Sequence, residues 1–199
     1  MKASWMAALA LSTSMVGTAW ADLTANVYHG WTIGLDGKIS TVGLDKVGTF
    51  VDPQIDHWDG TNTYRWNPLG VDELYTVTWA GYLLIADAGT YQFRTVADDG
   101  VQVFIDNQSV INNPTLQWFG ENQGTATLTA GAHALDVRLF ENYTYDGIIL
   151  QWKKPGDADW SIAPSSVLVT SVPEPGSFAL ALAGLAVAGA VALRQRRTQ

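Results

Sequence analysis

Residues Tyr91–Asp106 read YQFRTVADDGVQVFID. In the first half, Tyr91, Phe93 and Thr95 alternate with Gln92 and Arg94; in the second, Val101–Asp106 alternates in the same way. Successive side chains of an extended chain point to opposite faces, so each half is expected to be a β-strand with one buried face. Between them stands Asp98-Asp99-Gly100. Asp and Gly tolerate the positive φ of a tight turn, which makes this a hairpin signal.

Working outward, the same period recurs. Leu74–Ile85 (LYTVTWAGYLLI) is rich in β-branched and aromatic residues. Ala132–Phe140 sets Leu135, Val137 and Leu139 against Asp136 and Arg138, and Gly147–Trp152 adds Ile148, Leu150 and Trp152. Short strands at this spacing, broken by Gly, Asn and Asp, predict an all-β antiparallel sandwich. Asp22–Phe50 is less regular, and Val51–Val71 reads as a long loop. No helical periodicity appears outside the two ends of the chain.

Those ends read as addresses. Residues 1–21, MKASWMAALALSTSMVGTAWA, place Lys2 before an apolar stretch that closes on Ala19-Trp20-Ala21. Signal peptidase requires small side chains at such a site, so 1–21 is expected to be a secretory signal. Residues 172–199 read VPEPGSFALALAGLAVAGAVALRQRRTQ. The uncharged run Phe178–Leu193 would extend roughly 24 Å as a helix, against a hydrocarbon core of about 30 Å. It is expected to be a short transmembrane segment, with Arg194, Arg196 and Arg197 on the cytoplasmic side and the rest of the chain outside. Pro173-Glu174-Pro175, a short apolar helix and an Arg-rich terminus together resemble the PEP-CTERM sorting signal of Gram-negative bacteria that make exopolysaccharide. The resemblance implies cleavage near the Pro-Glu-Pro by an exosortase, after an inner-membrane-anchored stage, and delivery to the cell surface or extracellular matrix.

The whole chain has 199 residues, 47% of them hydrophobic and 15% charged, a formal charge of −8, nine Trp and no Cys. Removing both ends takes away Lys2 and three Arg against one acid, Glu174, so residues 22–171 are more acidic still. That balance excludes nucleic acid as a partner, since phosphates are held by clustered Lys and Arg. Absent cysteine excludes disulfides, thiolate metal sites and a Cys nucleophile. About 150 residues bury enough surface for one core without such staples.

Catalytic motifs are missing: there is no G-x-S-x-G, H-E-x-x-H, P-loop or G-x-G-x-x-G. His29, His57 and His133 lack metal-pair spacing. The acids are more informative, because they gather on two loops. One is Asp98-Asp99; the other is Glu141-Asn142-Tyr143-Thr144-Tyr145-Asp146-Gly147. Calcium takes about six to eight hard oxygens from carboxylates, amides and carbonyls, which two such loops could supply together. From composition alone, Asp98-Asp99-Gly100 reads first as a simple turn and only second as a metal site.

Trp79-Ala80-Gly81-Tyr82-Leu83, Gly89-Thr90-Tyr91-Gln92-Phe93, Asp98-Asp99-Gly100-Val101 and Glu141-Asn142 running into Ile149-Leu150-Gln151-Trp152 resemble, in that order, the β-sandwich domain named after the anthrax protective antigen (the PA-fourteen domain). The resemblance covers about Leu23–Val169. It implies a calcium site in which two adjacent aspartates joined by a cis peptide, matching Asp98 and Asp99, act with an Asn matching Asn142. The cation in turn would accept vicinal sugar hydroxyls. Asp146 is open to two readings, a further carboxylate ligand or the start of an Asp-Gly turn. Trp118, Phe119, Tyr143 and Tyr145 are candidate stacking surfaces for sugar, while Trp79 and Trp152 are expected in the core. The leading expectation is an exported, non-enzymatic carbohydrate-binding or adhesion module that uses calcium and meets extracellular polysaccharide. Two alternatives stay open: a structural envelope or matrix protein, and a glycan hydrolase using, for example, Asp98 with Glu141.

Overall fold

The computed structural model describes residues 22–58 and 68–171. The expected signal peptide, the transmembrane segment and the sorting residues Pro173, Glu174, Pro175, Arg194, Arg196 and Arg197 lie outside the described residues. Among those described, no helix is long and apolar enough to cross a membrane.

The described residues are all-β and antiparallel. The chain runs through β1 (Leu23–His29), β2 (Thr32–Ile33), β3 (Ile39–Ser40), β4 (Lys46–Asp52), β5 (Tyr75–Ile85), β6 (Gly89–Asp98) and β7 (Gly100–Ile105). It continues through β8 (Gln108–Asn113), β9 (Gly120–Leu128), β10 (Gly131–Glu141), β11 (Gly147–Lys153), β12 (Ser161–Ile162) and β13 (Leu168–Val169). One sheet has the order β4-β1-β5-β10-β7-β8, with β13 also on β5; the second is β12-β11-β6-β9; β2 and β3 form a small ribbon.

Alternation explains the layers. On β10, His133, Leu135, Val137 and Leu139 are buried; on β6, Tyr91, Phe93, Thr95 and Ala97 are buried. The two faces meet in one cluster with Trp79, Ile148, Leu150 and Trp152, so Trp79 and Trp152 are core residues, at 0% and 6% exposure. The outer face of the large sheet is partly covered by the β2–β3 ribbon. Gln102 accepts from Ile39 N at 2.7 Å through Oε1 and donates to Gly37 O at 3.0 Å, so this polar residue of β7 is buried on the outer face. Beyond Asp52, the stretch read as a loop is held to the second sheet by an isolated bridge of Asp56 with Ile149.

The hairpin expected at Asp98-Asp99-Gly100 is not formed. β6 pairs with β11 and β9, whereas β7 pairs with β10 and β8, so the chain changes sheets at Asp99. The physical reason is that both strands offer an inward apolar face, and turn chemistry does not say whether two such strands pair or pack. The tight hairpin lies one strand later: Asp106 and Asn107, at φ 49° and 63°, join Ile105 to its partner Gln108. Positive φ at both central residues is the type I′ pattern whose twist suits a two-residue loop.

Candidate metal and carbohydrate site

The sheet change delivers the acids to one end of the sandwich. The Asp98–Asp99 peptide is cis, as the family resemblance implied. Asp98 and Asp99 are 3% and 7% exposed. Gly100 follows because the Phe140 ring occupies the space that a side chain would need: a Cβ there would lie 2.1 Å from Phe140 Cε1. Asp99 N donates to Phe140 O at 3.2 Å, which ties the corner to β10.

Asp99 then organises the two neighbouring loops. Its Oδ1 accepts from Gln117 N at 3.0 Å, and its Oδ2 accepts from Asn142 N at 3.0 Å. Gln117 clasps the same corner with its side chain, donating through Nε2 to Asp99 O at 2.8 Å and Ala97 O at 3.1 Å. Its Oε1 is fixed by Asn113 Nδ2 at 2.6 Å and Asn122 Nδ2 at 3.2 Å. A Cβ at position 120 would come 2.2 Å from that Oε1, so Gly120 leaves the room Gln117 needs. Gln117 went unremarked in the sequence because a polar residue in a polar stretch carries no periodic signal. The connecting loop between β8 and β9 is short, 114–119.

Asn142 opens the second loop. Its Oδ1 accepts from Trp31 Nε1 at 3.1 Å, and Trp31 stacks on Phe140 with centroids 4.4 Å apart. An amide oxygen has two lone pairs, so one stays available for a ligand. Asp146 is 5% exposed and accepts from the Tyr75 hydroxyl at 2.7 Å through Oδ2, beside the pair.

One acid joins the pair from the core side. Oxygens of Asp98, Asp99 and Glu141 all lie within 4.8 Å of one another. Glu141 is 0% exposed, and neither of its oxygens has a hydrogen-bond partner among the described residues. A signal for it does exist: Glu141 continues the inward series Leu135, Val137, Leu139 on β10.

Electrostatics follow from this crowding. Burial first, then the Asp99 charge, push Asp98 up to about 7, against the pull of the Phe119 backbone N–H. Burial also raises Asp99, opposed by the N–H groups of Asn142 and Gln117. Glu141 is pushed up to about 9 by burial and then by Asp99, Asp98 and Asp146. The Asn142 N–H tempers this only weakly, because it is aimed at Asp99. Like charges packed this closely favour either protons or a cation. Oxygens around calcium stand about 2.3–2.6 Å from it, hence up to about 5 Å apart, and the group fits that span. An all-oxygen donor set is the chemistry of a hard dication.

Aromatic residues lie on the same two loops and on the segment after β4. Trp118, 68% exposed, meets Tyr145 edge-on with centroids 4.7 Å apart. Phe119 stacks on Trp58 at 4.4 Å, and Tyr143 is exposed. Asp98 and Asp99 thus group with Glu141, and Asp99 is bonded to Asn142 and Gln117; Asp146 bonds Tyr75 outside that three-carboxylate group, Trp118 meets Tyr145, and Phe119 meets Trp58.

Known proteins share this fold. Residues 41–165 match the PA14 domain, and residues 171–197 match the PEP-CTERM protein-sorting motif. No curated protein matches the chain. Among solved structures, it is similar to an anti-sigma factor domain-containing protein from Clostridium clariflavum, at 25% identity and TM-score 0.61, over 76% of this chain and 48% of that one. The chain thus spans about half the length of that protein. It is also similar to the PA14 sugar-binding domain from an RTX adhesin (21% identity, TM-score 0.59, 75% of this chain and 98% of that one). A third is the Epithelial Adhesin 6 A domain from Candida glabrata, in complex with Galb1-3GlcNAc (12% identity, TM-score 0.54, 77% and 88%). The chain belongs to the PA14 domain family and bears a PEP-CTERM sorting motif behind its sandwich.

Proposed function

We propose that this protein is an exported carbohydrate-binding module whose site is the loop end of the sandwich, where calcium held by Asp98, Asp99 and Asn142 receives sugar hydroxyls. The observation that carries the reading is Asp99: its two carboxylate oxygens bracket the 114–119 and 142–146 loops, so acids and aromatic rim are fixed as one unit. Two similar structures, a sugar-binding domain of an adhesin and an adhesin domain with a bound disaccharide, support a glycan as the ligand. The sorting motif supports exosortase processing and a surface or matrix location.

The chain's own residues have distinct parts in this reading. Asp98 and Asp99 supply charge, and calcium, when bound, would supply coordination positions for two vicinal hydroxyls. Gln117 and Trp31 orient Asp99 and Asn142. Trp118 and Tyr143 offer exposed ring faces to sugar C–H groups, while Phe119 and Tyr145 support them through Trp58 and Trp118. Burial of the acids keeps competing water from the cation on the protein side.

The test is calorimetry of the full chain with calcium in a non-glycosidic detergent, followed by a glycan array with and without chelator, on wild type and Asp98→Ala. Calcium binding by wild type alone, with glycan signal lost in chelator and in Asp98→Ala, is expected. Glycan binding that survives chelator in both proteins would overturn the metal mechanism.

A further inference from the structure

Glu141 is the last residue of β10 and continues the inward series of His133, Leu135, Val137 and Leu139, of which the three nearest to it are core residues. A core position asks for an apolar side chain, yet this one ends in a carboxylate fully withdrawn from water. Buried charges are retained where they are paired, hydrogen-bonded or bound to a metal. Neither oxygen of Glu141 has a hydrogen-bond partner among the described residues, and the groups grouped with it are two more carboxylates. As a packing element it would be better served by Leu, and as a hydrogen-bonding element it is idle.

We infer that Glu141 is a direct ligand of the same cation, the third carboxylate of the site, reaching it from the core side. This rests on the proposed reading of Asp98 and Asp99 and deepens it. Three carboxylates bring more charge than a dication neutralises. The cation is therefore held firmly from below while its outer positions exchange water for sugar, and a trivalent ion of calcium's size is favoured over calcium itself. Ligand charge is a main determinant of affinity at oxygen sites. The family resemblance pointed to the aspartates and Asn142; Glu141 comes from its burial, its idle oxygens and the 4.8 Å span.

The full chain in a non-glycosidic detergent is titrated with calcium by calorimetry and with terbium by luminescence excited through tryptophan. Wild type, Asp98→Asn, Glu141→Gln and Glu141→Asp are compared. Wild type is expected to bind both ions and Asp98→Asn neither. Glu141→Gln should bind calcium roughly tenfold or more weakly and lose more for terbium, with Glu141→Asp between. In chelator, Glu141→Gln should melt no lower than wild type, an outcome that a purely structural Glu141 would not give. Calcium and terbium affinities in Glu141→Gln equal to wild type, beside a loss in Asp98→Asn, would overturn the inference and leave the site reading standing. Failure of wild type to bind either ion, or undiminished binding by Asp98→Asn, would overturn the site reading and this inference with it. Should Glu141→Gln not fold, Glu141→Asp decides: unchanged affinity for both ions overturns the inference.

Discussion

Asp52 and Glu141 are both carboxylates sealed from solvent, at 2% and 0% exposure, and the protein surrounds them differently. Asp52 Oδ2 accepts from Trp79 Nε1 at 2.6 Å and lies 2.6 Å from His57 Nε2, and its Oδ1 accepts from Gln54 N at 3.3 Å. It is a finished hydrogen-bonding centre that locks β4 and the segment after it onto β5. Glu141 stands among Asp98 and Asp99, with no donor directed at its oxygens. A buried polar group left without partners costs stability, so a fold keeps one where something outside the chain completes it. The comparison separates an acid whose oxygens are met by donors from one whose oxygens have none among the described residues.

The largest effect should come from breaking the finished centre. Asp52→Ala removes the acceptor of a buried indole N–H and leaves a cavity beside Trp79, and is expected to cost about 2–4 kcal/mol in denaturant unfolding. Calcium affinity of the surviving fold should not change. Equal or greater stability of Asp52→Ala would erase the distinction.

A second effect belongs to the other region. Asp98 and Glu141 titrate higher in the fold, at about 7 and about 9, than the usual carboxylate values of about 4. Over that window the fold holds protons that the unfolded chain has released, so metal-free stability falls as pH rises from about 4 through both values. Thermal melts in chelator should decline across about pH 5–9, and saturating calcium should flatten or invert the slope. A level profile in chelator would mean that the acids are not crowded as described.

The smallest effect is at the β7–β8 turn. Burial works against charge on His133, yet its 2.6 Å contact with Asp106 Oδ2 and its bond to Thr129 O outweigh this and raise its pKa. Its contribution is present below the usual value of about 6.5 and is lost as pH rises through the raised one. Asp106→Asn should lower the His133 titration seen by NMR and cost under about 1 kcal/mol, because Asp106 is half exposed.

Much of this was legible in the residues. The alternations of Tyr91–Ala97, Val101–Asp106, Ala132–Phe140 and Gly147–Trp152 became β6, β7, β10 and β11 nearly at their expected bounds. Asp98, Asp99 and Asn142 converge as their loops suggested. The less regular Asp22–Phe50 also holds four strands, two of them only two residues long, where no period can be established. The turn at Asp98-Asp99-Gly100 was misread because local residues report a preference for turning and are silent on which strand pairs with which. Gln117 carries no such signal, since its grip on the corner is a set of bonds to Asp99 and Ala97, 18 and 20 positions away.

What the sequence settles alone is whatever depends on near neighbours: the two-residue period, the turn-forming residues and the C-terminal sorting motif. Burial at Glu141 was implicit in the same period, one step beyond Leu139. The tertiary structure alone decides that the chain changes sheets at Asp99, that Gln117 clasps the corner and that three carboxylates share one small volume. Those outcomes depend on bonds between residues 18 to 43 positions apart, as in the Gln117 and Asn142 N–H bonds to Asp99. Such pairing follows from the free energy of the whole packed core, and no short stretch contains it.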